Sequence, residues 1–153
     1  MDFTGKVVVI TGASSGIGEA LVYAFADRGA KVVMGARNSA KLAEIAAQLF
    51  TRGIESAFEA TDVTREEDCK RLIDKALSAF GRIDILICNA GISMRALFDD
   101  VQLDVLRQLM DVNFWGTVYC AKYALPALQA AKGTLVGVSS VAGMHGLPGR
   151  TGY

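Results

Sequence analysis

The amino-acid sequence predicts an α/β fold built on a doubly wound parallel sheet. Three observations lead there. Short β-branched runs alternate with longer stretches of helical apolar spacing along the whole chain, the pattern that puts helices on both faces of a parallel sheet. The hydrophobic fraction is 52% against 21% charged residues, as suits strands buried on both faces. A glycine-rich turn joins the first strand to the first helix. At 153 residues the chain is expected to form a single domain, residues 1–153, with a substantial core.

Lys6–Thr11 (KVVVIT) reads as a buried first strand. Gly12–Gly16 follows as a turn, and the spacing Ile17, Ala20, Leu21, Ala24 is then helical until Gly29 stops it. Lys31–Ala36 (KVVMGA) is the second strand. Asn38 can cap a second helix, with Leu42, Ile45, Ala46 and Leu49 on its buried face and Gly53 at its end. Glu55–Ala60 alternates, so it is expected at a sheet edge with one solvated face. Thr64-Arg65-Glu66-Glu67 has the form of a capping box. The helix it opens is expected to bury Cys69, Leu72, Ile73, Ala76, Leu77 and Phe80, and Gly81 closes it. Ile83–Cys88 (IDILIC) is a fourth strand, followed by two helices around Asp100–Val112 and Trp115–Ala131 with Asn113 near their junction. Thr134–Ser139 is a fifth strand, and the Gly-rich stretch Val141–Tyr153 reads as a loop approaching another helix. The expected strand order is 3-2-1-4-5, which opens a crevice at the carboxyl ends of strands 1 and 4.

Composition narrows the function. Formal net charge is zero and no block of like charge occurs, so neither nucleic acid nor an anionic membrane surface is expected as a partner. The three cysteines Cys69, Cys88 and Cys120 are odd in number and match no metal spacing; they read as reduced thiols, and a cytoplasmic location is expected. The start lacks a secretory pattern, and the most apolar long stretch, Trp115–Val138, is broken by Lys122, Pro126 and Lys132, so no membrane span is expected. His145, the single histidine, has no carboxylate or thiol at ligand spacing, so no metal site is expected; it lies in the loop after Ser140, where substrate contact is open.

The chemistry begins at Thr11-Gly12-Ala13-Ser14-Ser15-Gly16-Ile17-Gly18. One glycine allows a sharp turn, one lets backbone approach a diphosphate, and one lets helix pack closely on strand. The helix N-terminus then offers free N–H groups and the positive end of its dipole to phosphates. Gly12, Ser14, Ser15, Gly16, Ile17 and Gly18 are therefore the expected pyrophosphate-binding residues.

This spacing resembles the short-chain dehydrogenase/reductase family, whose loop is T-G-x-x-x-G-x-G, and further motifs follow in register. Asp62-Val63 falls where that family places an acidic residue near the adenine ring. Cys88-Asn89-Ala90-Gly91 looks like the family's N-N-A-G stretch, with Cys88 in place of the first Asn. Asn113 matches a catalytic Asn, and Ser140 and Tyr153, 13 positions apart, match the catalytic Ser and Tyr. The resemblance implies a Rossmann-type fold, and cofactor contacts at Asp62, Val63, Asn89, Ala90 and Gly91. It also implies that Tyr153 acts as general acid or base, that Ser140 hydrogen-bonds the substrate oxygen, and that Asn113 holds a water in a proton relay.

The second strand ends Gly35-Ala36-Arg37-Asn38. An NAD site wants a carboxylate there for the ribose hydroxyls, whereas a guanidinium suits a 2′-phosphate, so NADP(H) is expected over NAD(H). The family's fourth catalytic member is a lysine four residues after the Tyr, and the sequence stops at Tyr153. The expectation is an amino-terminal part without the family's C-terminal strands, inactive alone. It would belong to an NADP(H)-dependent oxidoreductase that interconverts a carbonyl and a secondary alcohol, a homo-oligomer at full length. A non-catalytic dinucleotide-binding module is the alternative. Steroid, sugar, fatty-acyl and small-ketone substrates are all compatible with the sequence.

Overall fold

In a computed structural model, which describes residues 2–150 and 152, the β-branched runs form a five-stranded parallel sheet of order 3-2-1-4-5. The strands are β1 (Val7–Thr11), β2 (Lys31–Ala36), β3 (Ser56–Ala60), β4 (Ile85–Cys88) and β5 (Thr134–Gly137). The expected order is therefore observed, although β4 and β5 are shorter than Ile83–Cys88 and Thr134–Ser139. The helices between them are α1 (Gly16–Ala26), α2 (Ser39–Thr51), α3 (Glu66–Phe80), α4 (Leu103–Met110) and α5 (Gly116–Ala131).

The side chains of β1 alternate between two cores. Val8 and Ile10 join Val32, Met34 and Ile87 beneath Val22 of α1 and Leu42, Ile45 and Leu49 of α2. Val7 and Val9 join Leu86 and Cys88 beneath Cys69, Leu72 and Ile73 of α3 and Cys120, Ala124 and Leu128 of α5. Every β1 residue is buried, which explains a continuous apolar run where an alternating one would mark a solvated face. β3 forms one edge, as its alternation implied, but its residues are half-buried on both faces rather than alternating, apart from the exposed end. β5 forms the other edge and is exposed along its length.

Three local expectations are corrected. The capping box does not form: Arg65 occupies the N-cap of α3 without a side-chain bond. The Thr64 hydroxyl instead donates to Asp62 Oδ1 at 2.8 Å, an acceptor closer in sequence than the helix it was expected to cap. Leu77 lies on the outer side of α3, exposed, while Leu72, Ile73 and Ala76 fill the core. The two helices around Asn113 are one rod: α4 runs through a π-helical turn, Asp111–Trp115, directly into α5. Gly116, just after that turn, serves packing, since a Cβ there would stand 2.8 Å from Val63 Cβ. By contrast Asn38 caps α2 as expected, accepting from Lys41 N at 3.0 Å, and Gly81 ends α3 in the left-handed region at φ 73°.

At the amino ends of the strands, buried Asp84 accepts from Val7 N, Lys6 Nζ, Arg82 Nε and Arg82 Nη2 at 2.6–3.1 Å. Burial pushes this carboxyl up, but the bonds from Arg82, Val7 and Lys6 outweigh it and hold the group at about 2, against an ordinary 3.8. A carboxyl depressed by folding stabilises the native state above its unfolded value and loses that contribution as pH falls through its folded value. Asp84 should thus contribute about 2 kcal/mol at neutral pH that disappears between about pH 4 and pH 2. Urea unfolding of Asp84→Asn at several pH values checks this: the deficit relative to the parent chain should be largest at pH 7 and shrink toward pH 2.

Candidate functional site

The ends of β1 and β4 are joined by polar bonds made inside the fold. Thr11, the last residue of β1, is buried; its Oγ1 accepts from Asn89 N and Ala90 N, each at 3.0 Å. Asn89 returns the connection, its Nδ2 donating to Thr11 O at 3.0 Å and Gly12 O at 3.4 Å. These contacts hold the glycine loop against the N-A-G stretch. Gly12 takes φ 67°, and a Cβ there would come 2.9 Å from Ala90 Cα. Gly18 is the buried pivot behind the loop, where a Cβ would meet Gly12 O at 2.1 Å. Gly16 stands in the open at φ 55°, so it is required by backbone conformation rather than by crowding.

Above this knot, at the carboxyl ends of the strands, lies a cleft of about 610 Å³, within the range of small-molecule and cofactor sites. Gly12, Ser14, Ser15 and Ile17 form its floor, with the start of α1 beneath them. The first α-helical bond there is Glu19 N to Ser15 O, so the N–H groups of the preceding first turn have no intrahelical acceptors. Ser15 has an extended backbone and spends no side-chain bond on capping, which leaves its hydroxyl for a ligand. Arg37 and Asn38 line one side, Asp62 and Val63 another, and Asn89, Ala90 and Gly91 the third. Arg37 is exposed and forms no ion pair among the described residues. The nearby Lys41 is taken by Glu19 and Glu44 at 3.3 and 3.1 Å, so Arg37 is the guanidinium the cleft offers to an anion.

Ten of the expected site residues thus meet in one cleft. The others stand apart. Gly16 and Gly18 shape the loop without lining the space. Asn113 sits in the π-helical turn, its side chain bonded both ways to the Ile92 backbone: Oδ1 accepts from Ile92 N and Nδ2 donates to Ile92 O, each at 2.9 Å. Ser140 caps a short 3-10 turn, accepting from Ala142 N at 3.2 Å, and lies outside the cleft lining. Tyr153 lies outside the described residues.

Several residues went unread in the sequence. Thr11 was visible as the first letter of the loop motif, yet nothing in its type announced a buried hydroxyl with two N–H donors. Gln108, Asp111 and Val112 also line the cleft; their spacing puts them on one helix face, but only the rod's passage over the strand ends turns that face inward. Thr61 and Thr64 belong to the Asp62 wall. Among the described residues no group of His, Cys, Asp and Glu is arranged to hold a metal ion, and no helix is long and apolar enough to cross a membrane. The three cysteines are free and buried.

Comparison with known proteins places this geometry. The family model for short chain dehydrogenase matches residues 6–153. The chain is 43% identical over 141 residues to 11-beta-hydroxysteroid dehydrogenase A of Sesamum indicum, covering 91% of this chain and 40% of that protein. It is 42% identical over 149 residues to 11-beta-hydroxysteroid dehydrogenase of Pinus massoniana, covering 96% and 42%. The chain therefore spans less than half the length of these relatives. Among solved structures, alcohol dehydrogenase from the archaeon Thermococcus sibiricus, complexed with 5-hydroxy-NADP, superposes with a TM-score of 0.94 at 32% identity, over 97% of this chain and 63% of that one. A short chain dehydrogenase/reductase from Burkholderia phymatum, in complex with NAD, gives 0.95 at 30% identity over 100% and 55%.

Gly18→Ala should force Gly12 and the loop away from Asn89, since the intruding atom meets backbone, which cannot swing aside. The expected cost is about 1–3 kcal/mol of stability. Thermal unfolding of the variant checks this.

Proposed function

Because the chain belongs to the short-chain dehydrogenase family, we propose that it serves an NADP(H)-dependent oxidoreductase that interconverts a carbonyl and a secondary alcohol by hydride transfer. The observation that carries this reading is a single cleft bounded by the first turn of α1, an Arg37 with no ion pair among the described residues, and the Asp62–Val63 and Asn89–Gly91 walls. The donor set fits a phosphorylated dinucleotide. Free N–H groups and the Ser14 and Ser15 hydroxyls suit the pyrophosphate. The residue after β2 is a cation where a dephosphorylated ribose would want a carboxylate. Arg37 would take the 2′-phosphate through paired, charge-assisted bonds. Asp62 and Val63 would border the adenine, and Ala90 and Gly91 would flank the cofactor along β4.

When bound, the nicotinamide supplies or accepts the hydride. Hydride addition to a carbonyl leaves charge on its oxygen, so the chain must bring a proton there. Ser140, whose oxygen already accepts from Ala142 N, retains its O–H to donate to that oxygen. Tyr153 would deliver the proton, or remove it during alcohol oxidation. With both polar groups of its side chain bonded to Ile92, Asn113 would hold a relay water through its main-chain carbonyl. The hydroxysteroid dehydrogenases among its relatives favour a hydroxylated or ketonic substrate. The free, buried thiols suit a cytoplasmic setting, and homo-oligomerisation at full length completes the reading.

Arg37→Asp tests the cofactor assignment. NADPH affinity should fall by about tenfold to a hundredfold, as expected for loss of a charge-assisted bond and its replacement by a like charge, while NADH affinity changes little. Equal losses for both cofactors, measured by fluorescence titration, would remove the 2′-phosphate role.

A further inference from the structure

One carboxylate of the core belongs neither to the cleft lining nor to the Asp84 cluster. Asp68, in the first turn of α3, is buried. Its Oδ2 accepts from Asp62 N at 3.0 Å. Its Oδ1 accepts from Arg71 Nη2 at 2.8 Å, with Arg65 Nε 3.6 Å away. A buried carboxylate needs such partners, but here one partner is the backbone of a cleft residue, reached from a rigid helix.

We propose that Asp68 is a positioning residue: it fixes the Asp62 backbone so that the Asp62 carboxylate faces the exocyclic amine of adenine, and it thereby sets the base selectivity of the dinucleotide site. This rests on the cleft reading given above. Asp62 Oδ1 accepts from Thr64 N at 3.0 Å and Thr64 Oγ1 at 2.8 Å. Its Oδ2 has no hydrogen bond among the described residues, so one acceptor oxygen is left over. An ionised carboxylate only accepts. It gains a bond from the amine of adenine and meets a like acceptor in hypoxanthine, which carries a carbonyl at the same ring position.

Such discrimination requires the carboxylate to be held in place. Asp62 lies on the short connection between β3 and α3, tied at one end by Thr61 N to Ala36 O at 2.9 Å. The Asp62 carbonyl accepts from Arg65 N, at the N-cap of α3, at 2.9 Å, and the Asp68 carboxylate ties the Asp62 N–H to the helix. Burial would push the Asp68 carboxyl up, but the Asp62 N–H and Arg71 hold it below its ordinary value, so it stays an acceptor. Arg65 and Arg71 provide the countercharge without entering the cleft lining.

The test compares dissociation constants for NADPH and for reduced nicotinamide hypoxanthine dinucleotide phosphate, by fluorescence titration of the protein and its Asp68 variants. The parent protein should prefer the adenine cofactor by about tenfold or more. Asp68→Ala should reduce that preference to within about threefold, chiefly by weakening NADPH binding. Asp68→Asn, which keeps an oxygen in the same place, should retain most of it. Asp68→Glu keeps the charge but displaces the oxygen, and replaces the alanine variant if that one fails to fold; it too should lose the preference. A folded Ala or Glu variant with the full preference overturns the proposal. So does an equal loss for both cofactors, which marks a purely structural role, or failure of both variants to fold. A parent protein that binds NADPH without base preference sinks this inference alone. One that binds neither cofactor sinks the dinucleotide reading beneath it.

Discussion

The site depends on a buried hydroxyl. Thr11 Oγ1 accepts two backbone N–H groups from the chain leaving β4, and Asn89 donates back to the carbonyls leaving β1. At this point the sheet changes direction, with helices departing to opposite faces, so backbone groups at the two strand ends have no further strand to pair with. Buried backbone groups must be satisfied somewhere. The Thr–Asn exchange satisfies them and also fixes the distance across which the glycine loop meets the N-A-G stretch. Gly12 and Gly18 are then glycine for the same reason, since the backbone on either side of this knot leaves no room for a Cβ.

Several charges of the fold are paired locally, at both ends of the sheet. Asp84 is held by Arg82 and Lys6, Asp68 by Arg71 and Arg65, and Lys41 lies between two glutamates. Arg37 stands outside these pairings at the mouth of the cleft. The charged side chains that line the cleft are Arg37 on one side, near the start of α1, and Asp62 and Asp111 on the other.

Much of this was legible in the sequence, for identifiable reasons. Continuous β-branched runs marked the inner strands because a sheet buried on both faces uses them, and their alternation with helices led to the doubly wound order. The glycine loop was legible because its backbone requirement is met by one residue type. Asn38 and Gly81 marked helix ends through local chemistry alone. The failures share the opposite cause. Thr64 carried the right capping signal, but Asp62, two residues away, competes for its hydroxyl. The expected break between two helices near Asn113 does not occur, because the π-helical turn carries α4 into α5 and Gly116 packs closely against Val63. Asn113 was expected at the site through the family resemblance, whereas its grip on Ile92, twenty-one positions earlier, is tertiary. Gln108 and Asp111 carried no signal that distinguishes a cleft face from a solvated one.

The π-helical turn at Asp111–Trp115 has a consequence for how this part of the chain can vary. An extra residue within continuous winding advances the helical phase by roughly 100°. The two halves of the rod can therefore bury different sides, Leu109 in the first and Cys120, Ala124 and Leu128 in the second. Loss of one residue from that turn would restore ordinary winding with the halves close to their present phase, but it would move the residues inside the turn and take the Asn113 amide from Ile92. Length in this segment is thus as constrained as residue type, and tolerated insertions and deletions should fall in the loops on either side of the rod.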